Sequence, residues 1–267
     1  MTGAGRGVLV TGASRGLGAA TAQAFAARGD RLVVHYRSAE AQARAVLDTL
    51  PGTGHTLLRA DLADPAEVPR LAAAAVEALG RVDVLVNNAA LFLDPDGGGS
   101  RRGDHRVTEV GYEAWVRAWQ TTLATNLLGP ANLTFCVARH MLEVSPAAGL
   151  PRGRVVNIGS RGAYRGEPDV PAYGASKAGL HAFGQSMAIA LAPDGISVVS
   201  LAPGFIATDM AAPLLDGPAG DAIRAQSPFG RVAGAAEVAA AVVALADPGA
   251  EWVSGAVVDF NGASHLR

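Results

Sequence analysis

The sequence predicts an α/β fold with a doubly wound parallel sheet of about seven strands, flanked by helices. Short apolar runs alternate with stretches of ordinary helix length through the first half of the chain, an order typical of parallel sheets. The first apolar run also leads through a glycine-rich turn into an Ala-rich helical segment. The 267 residues, 49% of them hydrophobic, are enough for one domain over residues 1–267 with a large core.

Composition narrows the possible functions. The formal net charge is −2, which gives no electrostatic support for binding nucleic acid or an anionic membrane. The single Cys136 excludes an intrachain disulfide and a cysteine-based zinc site, and we predict no metal site. No apolar run reaches membrane-spanning length without Gly, Pro or charge, and residues 1–6 lack the apolar core of a signal peptide. We therefore expect a soluble, cytoplasmic protein.

The first strand, turn and helix have the features of a pyrophosphate site in a Rossmann-type fold. Residues 7–11 form an apolar strand, and a helix is predicted from about residue 19 to 28. Between them, Gly12, Gly16 and Gly18 follow the spacing G-x-x-x-G-x-G. The glycines let the backbone approach phosphates, and the helix N-terminus supplies free N–H groups. The alternative is a plain tight turn.

The second strand, predicted at residues 31–36, indicates the cofactor. An NAD-selective site usually has an Asp or Glu near the end of this strand for the ribose 2′-hydroxyl. Here Arg37 and Ser38 follow the strand, and no acid lies between Asp30 and Glu40. Arg37, with Arg15 from the glycine turn, would suit a 2′-phosphate, so we favour NADP(H) over NAD(H). The alternative is two solvated arginines.

The later elements continue this order, with one interruption. Asp61, at the end of the third strand, would either contact the adenine or cap the next helix. Residues 91–108 are polar, glycine-rich and charged, and are predicted as a substrate lid, with a plain surface loop as the alternative. The remaining predicted elements are helices at 39–50, 64–79, 112–142 (bent near Gly129), 171–192 and 235–246, and strands at 55–60, 82–86, 154–159, 196–201 and 256–260.

Three residues carry the predicted chemistry. Tyr173 and Lys177 are four residues apart, so on a helix they share one face. A Lys ammonium beside a phenol favours the phenolate, so we expect Lys177 to lower the pKa of Tyr173 and to let it exchange a proton near neutral pH. Ser160 lies thirteen residues before Tyr173, at the end of the fifth strand. Taken alone, the pattern also fits a surface Tyr stacked on a Lys side chain.

The ordered set of motifs resembles the classical short-chain dehydrogenase/reductase family over nearly the whole chain, including members such as 3-oxoacyl-[acyl-carrier-protein] reductases. Each motif is weak alone, and their order makes the match specific. One position departs from the family's common Asn-Asn-Ala-Gly, since the last residue here is Ala90. The matching motifs are Thr11–Gly18, Asp61-Leu62, Asn87–Ala90, Asn126, Ser160, Tyr173-x-x-x-Lys177 and Pro203-Gly204.

The resemblance implies an oxidoreductase that transfers hydride between NADP(H) and a carbonyl or secondary alcohol, such as a 3-oxoacyl thioester or another ketone. It implies Tyr173 as general acid or base, and Lys177 as the residue that lowers its pKa and holds the nicotinamide ribose. Ser160 would bind the carbonyl oxygen, and Asn126 would hold a water that links Lys177 to solvent.

The resemblance also implies the cofactor contacts, a substrate region and a homo-oligomer, either a tetramer or a dimer. Substrate specificity would reside in residues 91–108, 161–170 and 205–228. The implied cofactor-binding residues are Gly12, Ser14, Arg15, Gly16, Leu17, Gly18, Arg37, Ser38, Asp61, Leu62, Asn88, Ala89, Tyr173, Lys177, Pro203, Gly204, Ile206 and Thr208.

Arginines near the predicted substrate region raise the possibility of an anionic substrate. In the loop at 91–108, Arg101, Arg102 and Arg106 would hold an acidic or phosphate-bearing group. Arg161 and Arg165 follow Ser160 closely and would do the same. The alternative for this second pair is ion pairing with the nearby acids Glu167 or Asp169.

Two other functions stay open. His35-Tyr36-Arg37-Ser38 resembles the second-strand end of pteridine reductases, which reduce a ring C=N bond. That group often has Asp where this chain has Ser160, which favours ketone or alcohol chemistry. An enoyl reductase is disfavoured because that group spaces its Tyr and Lys more widely. From a different class, a catalytically silent NADP-binding regulatory protein would keep the fold without the reaction.

Overall fold

A computed structural model describes residues 5–92, 105–146, 151–208 and 211–267. Seven strands form one parallel sheet in the order β3-β2-β1-β4-β5-β6-β9, and β7 pairs with β8 separately. This architecture confirms the predicted fold class. The strands are β1 (Gly7–Val10), β2 (Arg31–Tyr36), β3 (Thr56–Arg59), β4 (Val84–Asn87), β5 (Gly153–Ile158), β6 (Ile196–Pro203), β7 (Ile206–Ala207), β8 (Ala233–Gly234) and β9 (Val257–Phe260).

Helices connect the strands and cover both faces of the sheet. Short 3₁₀ segments lie at Arg161–Ala163, Ala192–Asp194 and Pro248–Val253. The α-helices are α1 (Gly16–Ala26), α2 (Glu40–Thr49), α3 (Glu67–Leu79), α4 (Tyr112–Leu123), α5 (Gly129–Glu143), α6 (Pro171–Leu191), α7 (Ala212–Leu215), α8 (Gly220–Arg224) and α9 (Ala235–Leu245). None of these described helices is both long enough and apolar enough to cross a membrane.

The apolar strands divide their side chains between two cores because successive residues of a strand point to opposite faces. In β1, Val8 and Val10 pack in the cluster that includes residues of α1, α2 and α9. Leu9, between them, packs in the cluster of α3, α5 and α6. All three side chains are fully buried. At β1 both faces of the sheet are therefore dry, which explains why this central strand reads as a continuous apolar run.

Helix α1 begins earlier than predicted, at Gly16 rather than about residue 19, and two further helices differ from those predicted. Helix α3 begins at Glu67 rather than Asp64, because the Asp64 carboxylate accepts a hydrogen bond from the Ala66 N–H (2.8 Å) and holds a turn before the helix. The long helix predicted at 112–142 is present as α4 and α5, joined by a π-helical segment over Ala124–Leu128. This π segment lies just before Gly129, where a bend was predicted, and it contains Asn126.

The sheet has a topological switch point between β1 and β4, because β2 and β3 extend from one side of β1 and β5, β6 and β9 extend from β4. At their carboxyl ends the Thr11 hydroxyl accepts hydrogen bonds from the N–H groups of Asn88 (2.9 Å) and Ala89 (3.0 Å). The Asn88 amide in turn donates to the Thr11 carbonyl (2.8 Å). Open α/β sheets bind their ligands in the crevice at such a point.

Candidate active site

A cavity of about 340 Å³ runs along the carboxyl edge of the sheet. Its walls come from the glycine turn, the ends of β2 to β6 and the start of α6. Every residue predicted to bind the cofactor lines this cavity, and so does Ser160. Asn126 is the predicted catalytic residue that does not line it. This volume lies within the range of small-molecule sites.

The glycine turn has backbone geometry that only glycine adopts without strain. Gly12 and Gly16 have φ angles of 64° and 56°, in the left-handed region. At Gly18 an added Cβ would lie 2.3 Å from the Gly12 carbonyl oxygen. The backbone of the turn therefore lies close to the part of the cavity in front of the first residues of α1. These positions fit a pyrophosphate held by backbone N–H groups and a helix N-terminus.

His35 fixes this turn from the neighbouring strand. Its Nδ1 accepts a hydrogen bond from the Gly12 N–H (3.1 Å), and its Nε2 lies 3.0 Å from the Ala60 carbonyl, to which it can donate. Burial lowers the pKa of His35 to about 4, so the imidazole is neutral and can accept at Nδ1. Sequence reasoning noted His35 only as part of a motif and missed this role.

Two exposed arginines stand at the other end of the glycine turn. Arg15, Arg37 and Ser38 are exposed and line the cavity. Within the part of the chain that the structure describes, neither Arg15 nor Arg37 joins an ion pair or donates a side-chain hydrogen bond. Arg59 adds a third cation close by, because its Nε donates to the Arg37 carbonyl (3.1 Å). This end of the cavity is therefore positively charged and has free donors.

Asp61 and Leu62 form the wall beyond β3. The Asp61 carboxylate accepts a hydrogen bond from the Ala63 N–H (2.9 Å), and the Asp61 N–H donates to the Glu67 carboxylate (2.7 Å). Asp61 thus shapes the turn before α3 and also lines the cavity. Leu62 is buried. The two interpretations of Asp61, a ligand contact and a turn-stabilising residue, are compatible.

Ser160 ends β5 and begins the following 3₁₀ turn. Its hydroxyl oxygen accepts a hydrogen bond from the Gly162 N–H (3.0 Å), which caps this turn. Its own N–H points at His181 Nε2, at 3.4 Å. His181 is buried and lies against the preceding Gly159, where an added Cβ would be 1.9 Å from Nε2. The backbone of Ser160 is therefore held between α6 and the turn.

Tyr173 and Lys177 lie on the same face of α6, as the spacing predicted, and His181 continues this face one turn later. The Lys177 ammonium is buried and donates to the Ile158 carbonyl (2.7 Å). It lies 5.9 Å from the centre of the Tyr173 ring. Phe92 packs edge-on against the same ring, with 4.8 Å between the ring centres.

The pKa of Tyr173 differs from the prediction. Desolvation raises it to about 12, and a nearby Glu167 carboxylate adds to the rise, while the Ser160 hydroxyl opposes it. Burial also lowers the pKa of Lys177 to about 8. The expectation that Lys177 lowers the pKa of Tyr173 is therefore wrong for this structure. The physical reason is that burial of the phenol dominates its pKa, while the Lys177 ammonium donates to the Ile158 carbonyl.

Asn126 is fully buried in the π-helical segment, behind the cavity wall. Its amide donates to the Leu91 carbonyl (2.9 Å) and to the Ser176 hydroxyl (3.2 Å), and its oxygen accepts from the Leu91 N–H (2.7 Å). Asn126 therefore fixes the chain just after β4, next to Phe92. None of these contacts tests the role predicted for Asn126 in holding a water, so that role stays a prediction.

Comparison with known proteins decides the family. A family model described as enoyl-(acyl carrier protein) reductase matches residues 12–265. The 3-oxoacyl-[acyl-carrier-protein] reductase FabG of Escherichia coli K12 is 35% identical over 262 residues, covering 98% of each chain. The chain belongs to the short-chain dehydrogenase/reductase family. It is accordingly an oxidoreductase, as the ordered motifs predicted.

Other members of the family extend the comparison. D-threitol dehydrogenase of Mycolicibacterium smegmatis is 34% identical, covering 98% of this chain and 94% of that one. A crystal structure of a short-chain dehydrogenase from Burkholderia cenocepacia J2315, in complex with NADP, has a TM-score of 0.82 at 30% identity, with 97% of each chain covered. This dehydrogenase/reductase is thus similar to members with different named substrates.

The predicted substrate loops are seen in part. Residues 93–104, which include Arg101 and Arg102, lie outside the described residues. Arg106 forms ion pairs with Asp169 (2.7 Å) and Glu109 (3.2 Å), which joins the end of the 91–108 loop to the 161–170 loop. Its guanidinium is thus engaged by two carboxylates, which does not favour the expectation that Arg106 holds an acidic substrate.

Arg161 lines the cavity and pairs with neither of the nearby acids, Glu167 and Asp169, so its predicted contact with an anionic substrate stays a prediction. Its side chain is buried, and its guanidinium donates to the Ser264 hydroxyl and the Gln226 side chain. It also lies over the Phe205 ring, 5.1 Å from the ring centre. Arg165 is exposed and approaches Gln226 as well. The loops at 161–170 and 205–228 are therefore linked to the C-terminal segment by Arg161.

Proposed function

We propose that this short-chain dehydrogenase/reductase is an NADP(H)-dependent carbonyl reductase or secondary-alcohol dehydrogenase. The observation that carries the proposal is that Ser160, Tyr173 and Lys177 line the same cavity as the glycine turn and the exposed cations Arg15 and Arg37. The cofactor would supply or accept the hydride at the substrate carbon.

The chain's own residues then hold the substrate oxygen and move the proton. During reduction the carbonyl oxygen gains negative charge, and the Tyr173 hydroxyl is the acid that donates its proton to that oxygen. Ser160 donates a hydrogen bond to the same oxygen and fixes its position. A phenol with a pKa of about 12 is protonated at neutral pH and is ready to donate in this direction. Lys177 would hold the nicotinamide ribose.

The cofactor preference for NADP(H) over NAD(H) is supported by the charge at the end of β2. Arg15, Arg37 and Ser38 offer donors to a 2′-phosphate, and a ribose-binding carboxylate is missing from residues 37–39. The test is a fluorescence titration with NADPH and NADH. The wild type should bind NADPH at least tenfold more tightly, and Arg37→Ala should lose most of that difference. Arg44→Ala, an exposed change on α2, is the control. Equal binding of both cofactors by the wild type would contradict the proposal.

The reaction itself is tested by NADPH oxidation against a panel of ketones and 3-oxoacyl thioesters. We expect turnover with at least one class, and its loss in Tyr173→Phe. FabG is named for a 3-oxoacyl substrate and the M. smegmatis relative for D-threitol, so the panel includes both thioesters and hydroxy ketones. NADPH binding without turnover on any of them would favour the silent regulatory protein.

A C=N reductase remains the second candidate. His35-Tyr36-Arg37-Ser38 supports it through the resemblance to pteridine reductases, whereas Ser160 supports ketone chemistry. A cyclic imine and a pterin in the same panel separate the two. The four-residue spacing of Tyr173 and Lys177 continues to disfavour enoyl reduction, and a crotonyl thioester tests that point.

We also infer a homo-oligomer, a tetramer or a dimer, in the cytoplasm. Exposed apolar side chains on the π-linked helices α4 and α5 support it: Tyr112, Leu128 and Phe135 are 81%, 55% and 67% exposed. Such large apolar side chains on one helical stretch favour a covered surface. Size-exclusion chromatography with light scattering tests the inference, and a monomer would contradict it.

A further inference from the structure

Glu167 is an acid at the reacting end of the cavity that the proposed mechanism does not use. It lines the cavity between the 3₁₀ turn after Ser160 and the start of α6. Its side chain lies over two glycines. An added Cβ at Gly162 would be 2.8 Å from Glu167 Oε1, and one at Gly174 would be 3.7 Å from the Glu167 Cβ and Cγ. The lack of a side chain at Gly162 gives this carboxylate its place, and Gly174 packs beside it at ordinary contact distance.

The carboxylate stands beside the catalytic hydroxyls. The same ideal Cβ position at Gly162 is 3.2 Å from Ser160 Oγ, so the Ser160 and Glu167 oxygens lie roughly within two hydrogen-bond lengths of each other. The phenol of Tyr173 also senses the charge of Glu167, which helps to raise its pKa. A group bound at the Ser160 and Tyr173 hydroxyls is therefore a neighbour of Glu167.

Glu167 stands without a side-chain partner within the described part of the chain. Among the residues that the structure describes, its carboxylate makes neither a hydrogen bond nor an ion pair. The nearby cations are directed elsewhere, since Arg161 donates to Ser264 and Gln226 and Arg165 approaches Gln226. Burial raises the pKa of Glu167, and Arg165 and Arg161 oppose that rise. A half-buried carboxylate only accepts hydrogen bonds and needs donors when water is displaced from the cavity.

Building on the proposed carbonyl chemistry, we propose that Glu167 determines substrate specificity by accepting a hydrogen bond from a hydroxyl or amino group next to the reacting carbonyl. The substrate class is then a hydroxy or amino ketone, or the corresponding diol or amino alcohol. A hydroxyl on the adjacent carbon lies roughly one hydrogen-bond length from the carbonyl oxygen. A carbonyl held by Ser160 can therefore place that hydroxyl between Ser160 and Glu167, whose oxygens are at most roughly two hydrogen-bond lengths apart. A carboxylate or phosphate in that place would be repelled.

The experiment compares 3-hydroxy-2-butanone with 2-butanone, a pair that differs only in the hydroxyl. The measured quantity is the ratio of their kcat/KM values with NADPH. Wild type should favour the hydroxy ketone about tenfold to a hundredfold, the range of a hydrogen bond to a charged group. Glu167→Leu, which keeps the bulk and removes the acceptor, should bring the ratio to within threefold of one.

A second variant separates recognition from a structural role. Wild type should also favour 3-amino-2-butanone over 2-butanone, because its ammonium group can donate to the carboxylate. Glu167→Gln keeps an acceptor oxygen without the charge, so it should retain part of the preference for the hydroxy ketone and lose the preference for the amino ketone. A merely structural role would change both ketones alike and leave the ratio intact. Glu143→Gln, an exposed change on α5, is the control and should leave the ratio at the wild-type value.

The outcomes separate this proposal from the proposed function. If wild type reduces both ketones in a Tyr173-dependent manner with a ratio near one, or if Glu167→Leu keeps the wild-type ratio, the role of Glu167 is refuted and the carbonyl reductase stands. If wild type binds NADPH and reduces neither ketone nor any other carbonyl of the panel, both proposals fall.

Discussion

Gly159→Ala is expected to damage the protein through one contact, that with His181. The new methyl carbon would lie 1.9 Å from His181 Nε2 and 2.6 Å from Cδ2, well inside contact distance. The imidazole has little room to retreat, because it is 4% exposed and packs against the Tyr164 ring, with 5.2 Å between ring centres. Either the ring or the strand end that carries Ser160 has to move.

The size of the effect follows from overpacking in a dense interior, which typically costs about 1–3 kcal/mol. For a chain of this length that loss lowers the melting temperature by roughly 2–10 °C. Movement of Ser160 also misaligns the proposed carbonyl site, and we expect kcat to fall by about tenfold or more. The double variant Gly159→Ala/His181→Ala should be more stable and more active than His181→Ala alone, because the added methyl fills part of the space that the imidazole vacates.

Thermal unfolding and steady-state kinetics of the two single variants and the double variant form a double-mutant cycle. Residues in contact typically show a coupling of about 0.5–3 kcal/mol. Gly166→Ala is the matched control, since an added Cβ there meets nothing within 4 Å. Additive effects, or a Gly159→Ala variant as stable and active as Gly166→Ala, would refute the reasoning.

Two further predictions concern buried polar groups. His35 has a pKa of about 4 against 6.5 for an ordinary histidine, so the unfolded chain binds the proton first and stability falls as the pH drops from about 6.5 towards 4. Between pH 7 and pH 5 the free energy of unfolding, measured in urea, should therefore fall by about 2 kcal/mol less in His35→Asn than in wild type. Equal decreases in the two proteins would argue against a neutral His35. Asn126→Ala removes the amide that holds Leu91, and we expect a loss of about 1–3 kcal/mol together with weaker activity, whereas a stable and fully active variant would show that Asn126 does not position the wall.

The local motifs of the sequence predicted much of the site because each carries its own geometry. The glycine spacing predicted the turn at Gly12 and Gly16, and the four-residue spacing predicted that Tyr173 and Lys177 share a face of α6. The predicted end of the fifth strand placed Ser160 at the carboxyl edge of the sheet. The sheet then brings these ends to one edge, so that a list of residues from separate motifs lines one cavity.

Contacts between segments that are distant in the chain were not predicted from the sequence. His35 reaches back to Gly12, and His181 reaches Ser160, in each case across more than twenty residues and without a motif. The helical position of His181, one turn after Lys177, was a signal that could have been used. The pKa of Tyr173 was predicted in the wrong direction. The four-residue spacing shows that Lys177 is near Tyr173, but it does not show that burial dominates the pKa of the phenol or that the Lys177 ammonium donates to the Ile158 carbonyl.

The charged loops were likewise ambiguous in the sequence. The alternative that Arg161 pairs with a nearby acid is wrong, because its guanidinium donates to Gln226 and Ser264, which lie far along the chain. Among the described residues, that arrangement leaves the Glu167 carboxylate without a partner near the catalytic hydroxyls. Local charge patterns give the candidates for an ion pair, whereas the tertiary fold decides between them.

Hydride transfer in Tyr173→Phe tests the central claim most directly. The preformed NADPH complex is mixed with a reducible ketone and the decay of nicotinamide fluorescence is followed, with the NADPH dissociation constant measured beside it. We predict that the variant binds NADPH within about threefold of wild type, while the transfer rate falls by about a hundredfold to ten-thousandfold, as expected for loss of a general acid. Transfer at the wild-type rate with intact NADPH binding would contradict the assignment of Tyr173 as the proton donor.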